Sequence, residues 1–318
     1  MDLERLIKGV LEGDRRSIAR AISLVEDRLP EAEALMSALR PHTGHAHVIG
    51  VTGPGGAGKS TLIHQLVRKF RERGMSVGVV AVDPTSPFTG GAFLGDRVRM
   101  QDLALDPEVF IRSMATRGSL GGIAEATRDA VMILDASGKD VVIVETVGAG
   151  QLDVEIAKVA KTILVVLAPG LGDEIQAIKA GIMEIADIFV VNKADRENAE
   201  KTVSDLLSMI DVSPRKSWNP PIIKTVATTG EGLDELVDAI MEHEKHIEEE
   251  RKEWMKMEAE AQLLEAIRRE LNSYVLRLII QSPEYSEVLS MVHSGEMTPE
   301  EAASTLVKNK LKRVLRGA

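Results

Sequence analysis

Apolar positions along this chain follow two rhythms. Between residues 1 and 40 they recur at steps of three and four: Leu3, Leu6, Ile7 and Val10, then Ile18, Ile22 and Val25 within DRRSIARAISLVED. That spacing lines one face of a helix, and Asp14 stands where an N-cap belongs. Pro41, Thr43 and Gly44 break the pattern. From His47 the rhythm becomes short apolar runs: HVIGVT, SVGVVAV, VFIRS, DVVIVE, TILVVLA, DIFVVN and PIIKTV, with helical stretches between them. Near-continuous apolar runs suit parallel strands covered on both faces, and strand–helix alternation predicts βαβ units. The expected fold is α/β, a doubly wound, mostly parallel sheet.

After about Ile240 the strand pattern stops. Residues 242–280 predict one long helix or a helix pair, with Trp254, Met257, Ala261, Leu264, Ile267 and Leu271 in a stripe among charged neighbours. The stripe reads either as packing within the domain or as a dimer seam. A last helix is expected at Thr298, where TPEE offers an N-cap, a proline at the first helical position and a reciprocal glutamate. The chain thus divides into an N-terminal helical extension (1–46), an α/β domain (47–240) and a C-terminal helical extension (241–318).

Composition narrows the class. Apolar residues make up 44% of the 318 positions and aromatics only 3%, so the core must be aliphatic. The net charge of −10 argues against sequence-independent nucleic-acid binding, which needs a basic face. There is no cysteine, hence no disulfide framework and no thiolate metal site, which fits a cytoplasmic location. The opening MDLERLIKGVLEGDRR predicts no signal peptide, and no run reaches the roughly 18 apolar residues of a membrane span.

The strongest chemical motif is GPGGAGKST, Gly53 to Thr61, between the strand HVIGVT and the helical LIHQLVRKF. It is the G-x-x-x-x-G-K-[ST] loop in the strand–loop–helix context it requires, and it marks a P-loop NTPase. Gly53, Gly55, Gly56, Ala57 and Gly58 let backbone N–H groups face a polyphosphate, and the helix that follows turns its positive end to the same anion. Lys59 is expected on the β- and γ-phosphates, the Ser60 hydroxyl on Mg²⁺, and Thr61 closes the motif. FVVNKAD then sets Asn192, Lys193 and Asp195 at a strand end. A carboxylate there can accept from guanine N1–H and the N2 amine, a donor pair adenine lacks, so the nucleotides expected are GTP and GDP. The TVATTGEG loop adds a backbone contact around Ala227, although Val226 stands where a serine would be expected.

Magnesium needs hard oxygen ligands. Ser60, Asp83 at the end of VVAVD, Glu145 at the end of VVIVE and Asp96 in FLGDRVRM are the candidates; each acid could otherwise be a cap or turn residue. Glu145 stands where GTP-hydrolysing switches usually carry aspartate. Gly148 can offer its N–H to the γ-phosphate, but the next residue is Ala149, which cannot orient a water, and Gln151 lies two positions on. Lys59, Asp83, Glu145 and Gly148 are therefore expected to carry a slow intrinsic hydrolysis that a partner or a rearranged loop completes.

HVIGVTGPGGAGKSTLI, VDPTSP, GAFLGDRVRM, FIRSMATRGSLGG, VETVGAGQ and VNKAD follow one another in the order found in the MeaB/ArgK family, which residues 5 to 240 resemble throughout. That resemblance implies a homodimeric, Mg²⁺-dependent GTPase, with the C-terminal helices as dimerisation region. It implies a chaperone that gates adenosylcobalamin loading of methylmalonyl-CoA mutase, or of a related adenosylcobalamin-dependent acyl-CoA mutase, and protects it from inactivation. It also implies a further switch in APGLGDEIQAIKAG, with Asp173, Glu174 and Lys179, and Asp153 as a pairing partner for Lys179. Gln151-Leu152-Asp153 departs from the family's usual Gln-Ser-Glu. Arg97, Arg99, Arg112 and Arg117 read as phosphate-sensing or interface residues, or as plain exposed arginines.

Three rivals remain at this stage. An amino-acid kinase would use the same phosphate loop, but guanine preference opposes it. A metal-delivery GTPase is suggested by the run His42, His45, His47, which could bind nickel or zinc or could be a solvated linker. A nucleic-acid-linked GTPase rests only on the short basic tail KNKLKRVLRG.

Overall fold

A computed structural model describes residues 2–83, 100, 102–115, 122–146, 155–170, 182–210 and 218–316. Two compact units divide the chain, residues 1–249 and 250–318, so the first 46 residues share a unit with the sheet and the division falls later than residue 240.

The first unit opens with helices α1 (Leu3–Leu11), α2 (Arg15–Glu26) and α3 (Glu31–Leu39). Asp14 caps α2 as its position predicts, accepting from Ser17 N at 2.8 Å and Ser17 Oγ at 2.7 Å. Those bonds, led by the hydroxyl's, hold its carboxyl below the usual aspartate range. Ile18, Ile22 and Val25 are buried on the face their spacing implies.

Seven parallel strands follow: β1 (His47–Thr52), β2 (Val77–Asp83), β3 (Val109–Ala115), β4 (Val141–Thr146), β5 (Thr162–Leu167), β6 (Ile188–Asn192) and β7 (Ile222–Thr225), in the order β3-β2-β4-β1-β5-β6-β7. Each apolar run is a strand. The helices between them are α4 (Lys59–Glu72), α5 (Gly122–Ala136), α6 (Ile182–Ile185) and α7 (Ala199–Ile210), and α8 (Leu233–Ile280) starts after β7. Alternate residues feed two cores. Val48, Val80, Val142, Val144 and Val165 face the layer containing α2, α3 and α5. Ile49, Val51, Val79, Ile143 and Val166 face Leu62, Leu66 and Phe70 of α4 and Leu236, Val237 and Ile240 of α8. Burial on both faces explains why the runs are apolar throughout.

Connection handedness decides which helix covers which face. From β1 the chain steps toward β2 and β3 at one edge; from β3 onward it steps the other way, through β4 and β5 to β7. Right-handed crossovers in opposite directions put their helices on opposite faces. The connections leaving the neighbouring strands β1 and β4 run in opposite directions, and a crevice at the carboxyl ends of such strands is where α/β sheets hold ligands.

The second unit holds the remainder of α8 with α9 (Pro283–His293) and α10 (Pro299–Arg316). The TPEE signal forms the reciprocal cap it predicts: Glu301 N donates to Thr298 Oγ1 at 3.2 Å and Thr298 N to Glu301 Oε2 at 3.1 Å. Within this unit Leu263, Leu264, Ile267, Leu271, Tyr274 and Leu276 of α8 are exposed. The side chains of Trp254 and Met257 lie outside the described set. No helix among the described residues is long and apolar enough to cross a membrane.

Candidate functional site

The chain leaves β1 at Thr52 and enters α4 through residues 53–58. Two glycines have no substitute there. Gly53 has φ +136°, and an added Cβ would collide with the Val166 carbonyl oxygen; Gly58 has φ +94°, and its Cβ would strike Asn192 Nδ2. Gly55 and Gly56 lie between them, with Ala57 buried in the core below. Lys59 opens α4 and is itself buried. Its ammonium donates to the carbonyls of Gly53 at 2.8 Å and Pro54 at 3.1 Å, which arches the loop over the helix N-terminus.

Beside that arch, Ser60 Oγ donates to Glu145 Oε1 at 2.7 Å. Glu145 is only 6% exposed and pairs in register with Val51 of β1 and Ala81 of β2. Asp83 therefore ends β2 at the same edge of the sheet, two residues beyond Ala81; its side chain lies outside the described set. A hydroxyl in contact with a carboxylate, and a second acid at the next strand's end, is an oxygen-donor set that fits a hard divalent cation. Asp96, Gly148, Asp153, Asp173, Glu174 and Lys179, with Arg97, Arg99 and Arg117, lie outside the described residues. Arg112 is described, and it ties β3 to α2, donating to Glu26 Oε2 at 2.6 Å and Ser23 Oγ at 3.1 Å.

β6 delivers the second half of the site. Asn192, 1% exposed, braces two loops: its Nδ2 donates to Ala57 O at 2.9 Å, while its Oδ1 accepts from Thr225 Oγ1 at 3.2 Å and Ala227 N at 3.1 Å. Lys193 adopts φ +57° and donates to Gly56 O at 2.6 Å. These bonds join the phosphate-loop motif to NKAD and to the loop after β7. Between the three lies a cavity of about 130 Å³ lined by Gly58, Thr61, Asn192, Lys193, Asp195, Arg196, Val226, Ala227 and Thr228. All three base-reading candidates, with Ala227, thus meet at one cavity. Sequence reasoning did not single out Arg196 or Thr228, and it gave Thr225 no part. The signal was present, since Arg196 follows Asp195 directly and Thr225 and Thr228 flank Val226-Ala227. It also missed His64, one turn beyond Ser60, whose Nε2 lies 2.9 Å from Asp102 and holds that carboxyl below its usual range.

The histidine run does not converge on an ion. His47 is buried within β1, its Nε2 2.9 Å from Thr162 Oγ1 and its Nδ1 3.3 Å from Glu244 Oε1. Thr162 Oγ1 also lies 2.8 Å from His243 Nδ1, whose ring packs 4.8 Å from Trp218. Among the described residues no group of three or more acidic or histidine side chains could hold a metal.

Comparisons agree with this geometry. Residues 18–281 match the family described as Methylmalonyl Co-A mutase-associated GTPase MeaB. The Escherichia coli protein named GTPase ArgK is 36% identical, covering 82% of this chain and 85% of its own. A Caenorhabditis briggsae protein, named methylmalonic aciduria type A homolog, mitochondrial, is 32% identical over 96% of this chain and 82% of its own. A crystal structure named LAO/AO transport system kinase superposes with a TM-score of 0.71 at 28% identity, covering 97% of both chains.

Proposed function

This chain belongs to the MeaB family of methylmalonyl-CoA mutase-associated GTPases, and we propose that it is a GTP-binding, slowly GTP-hydrolysing chaperone. Its client on this reading is methylmalonyl-CoA mutase or a related adenosylcobalamin-dependent acyl-CoA mutase, whose cofactor loading it gates and whose activity it protects. The observation that carries the nucleotide part is the Asn192 brace, which fastens the phosphate loop at Ala57 and the Ala227 loop to one strand end around one cavity. A polyphosphate on the loop and a purine in that cavity would be held by groups already fixed in relation to each other, which lowers the ordering cost of binding. The family description and the Caenorhabditis relative's name support the client.

In this reading the backbone amides of residues 53–58 and the α4 N-terminus receive the phosphates. Lys59 exchanges the Gly53 and Pro54 carbonyls for phosphate oxygens. Asp195 accepts from the guanine N1–H and N2 amine, and Lys193 lays its stem along the base. Ser60, Glu145 and Asp83, with Asp96, would hold Mg²⁺, which offsets charge on the β- and γ-phosphates. Gly148 as γ-phosphate sensor, and Asp153, Asp173, Glu174 and Lys179 as switch charges, belong to the same reading. So does homodimerisation through the C-terminal helices, which the exposed stripe of Leu264, Ile267 and Leu271 supports. The cytoplasm is the compartment proposed.

The test is GTP hydrolysis by the purified chain, alone and with the mutase from the same source, with light scattering on the same samples. Slow hydrolysis that rises several-fold with mutase, by a protein of twice the chain mass, is expected. Hydrolysis indifferent to the mutase, with no complex, removes the client. Phosphate appearing on an added amino acid instead of in water turns the reading to a kinase.

A further inference from the structure

The strands that carry the phosphate loop and Glu145 part at their carboxyl ends. The ladder between β1 and β4 runs from His47 beside Val141 to Val51 beside Glu145. The outer ladders continue one residue further, with Thr52 beside Val165 of β5 and Thr146 beside Val82 of β2. The crevice therefore opens between Thr52 and Thr146. Across that opening Thr146 Oγ1 donates to Thr52 Oγ1 at 3.0 Å, and both side chains are buried. Alternation along β4 decides the faces. Val142 and Val144 meet the layer of α2, α3 and α5 and Ile143 meets α4, so Glu145 turns toward α4 and Thr146 the other way. Glu145 accordingly accepts from Ser60 Oγ at 2.7 Å on one face, while Thr146 reaches Thr52 on the other. Both bonds span the same gap, because Thr52 and Ser60 belong to the β1 side and Glu145 and Thr146 to the β4 side.

We propose that Thr146 is a positioning residue of the nucleotide site: its bond to Thr52 sets the gap across which Ser60 and Glu145 meet, and with it the grip on a divalent cation bound beside the phosphates. Neither threonine touches the cation or the nucleotide in this role. The two halves of the site depend on the gap unequally. The phosphates are received by residues 53–58, Lys59 and the α4 N-terminus, all on the β1 side. The cation needs oxygens from both sides, and a small hard ion such as Mg²⁺ demands near-ideal oxygen positions. Widening the gap therefore weakens the cation and leaves the phosphates held. Valine at 146 keeps the branched shape and removes the hydroxyl, whereas serine keeps the hydroxyl, so the two variants separate the bond from the packing.

This proposal rests on the Mg²⁺–GTP reading of the same site, and the experiment separates the two. Binding of a fluorescent, non-hydrolysable GTP analogue is measured on the full chain, in EDTA and across titrations with Mg²⁺ and Ca²⁺. The variants are Thr146→Val, Thr146→Ser, Thr52→Val and the double valine, each with a urea unfolding curve. A native chain that binds the analogue equally in EDTA and in Mg²⁺ rejects the cation reading itself, and the Thr146 assignment falls with it. With Mg²⁺ tightening binding, Thr146→Val is expected to raise the Mg²⁺ concentration at half effect about 5-fold, the loss of one hydrogen bond, and to leave affinity in EDTA unchanged. Ca²⁺, whose coordination is more tolerant, should lose less. Thr146→Ser should stay near the native value. Thr52→Val should match Thr146→Val, and the double variant should lose no more than either, since all three remove the same bond. Equal losses in EDTA and in Mg²⁺, or failure of both single valine variants to fold, would make the pair a brace of the whole fold. An unchanged Mg²⁺ titration in folded Thr146→Val would mean that the bond does not set the gap; any of these overturns the proposal.

Discussion

The two ends of the same strands are built from similar side chains and serve opposite purposes. At the carboxyl ends of β1, β4 and β6, Asn192 and Lys193 line the cavity, and Lys59, Ser60 and Glu145 gather at the adjoining phosphate loop. Several of their bonds run to backbone carbonyls of a glycine loop, acceptors that a bound anion can replace. At the amino ends of β1 and β5, His47, Thr162, His243, Glu244 and Asp187 bond to one another, and Trp218 seals them, its Nε1 donating to Asp187 O at 2.8 Å. The first edge adjoins a cavity; the second turns its groups on one another, with His47 Nδ1 3.3 Å from Glu244 Oε1 and without a hydrogen-bond partner. Polar residues inside a fold therefore do not mark a site by themselves. What differs is whether a cavity adjoins them and whether their partners can be exchanged.

The sharpest break in that comparison is Lys59→Ala. On the proposed reading it removes a charge-assisted bond to phosphate, so GTP affinity should fall roughly 100-fold, about 3 kcal/mol, with little change in urea midpoint. Titration with a fluorescent GTP analogue measures it; an unchanged Kd would place the anion elsewhere. The converse variant is Thr162→Val at the closed edge. It strips a partner from two buried imidazoles and should cost about 2–3 kcal/mol of stability in urea unfolding, leaving GTP affinity as it was. A loss of GTP affinity in that variant at conditions where it stays folded would show that the two edges are coupled.

The smallest effect comes from pH. Burial first, then repulsion from His47 and His246, pushes His243 down to about 4 from its ordinary value of 6.5. A depressed folded pKa means that the unfolded chain takes up a proton the folded one refuses. Stability from this residue is intact above the ordinary value and is lost as pH falls toward about 4. Glu244, held below its usual range chiefly by its bond to His47, acts in the same direction at lower pH. Urea unfolding at pH 5 should show about 2 kcal/mol less stability than at pH 7, and His243→Phe should flatten that slope. A slope that His243→Phe leaves unchanged would assign it to other groups.

The strands, the caps at Asp14 and Thr298, the phosphate loop and NKAD were legible because each is encoded within one turn or one strand. Local spacing sets local geometry: Glu301 stands three residues from the threonine it caps, and Lys59 within six of the carbonyls it binds. Even Glu145 was readable, since a strand end in a doubly wound sheet has one destination. Local spacing left His42, His45 and His47 as a metal-binding run or a solvated linker, with His47 opening a strand; strand pleating sends His47 inward to Thr162, 115 positions away. Nothing in either segment announces the other. Likewise the sequence marked Asn192 as a base reader, but only the lateral order of β1, β6 and β7 brings it between Ala57, 135 residues earlier, and Ala227, 35 later. The sequence by itself determined the elements and the family. The tertiary structure alone decided which polar groups close on one another, because those pairings depend on strand order and crossover hand and not on distance along the chain.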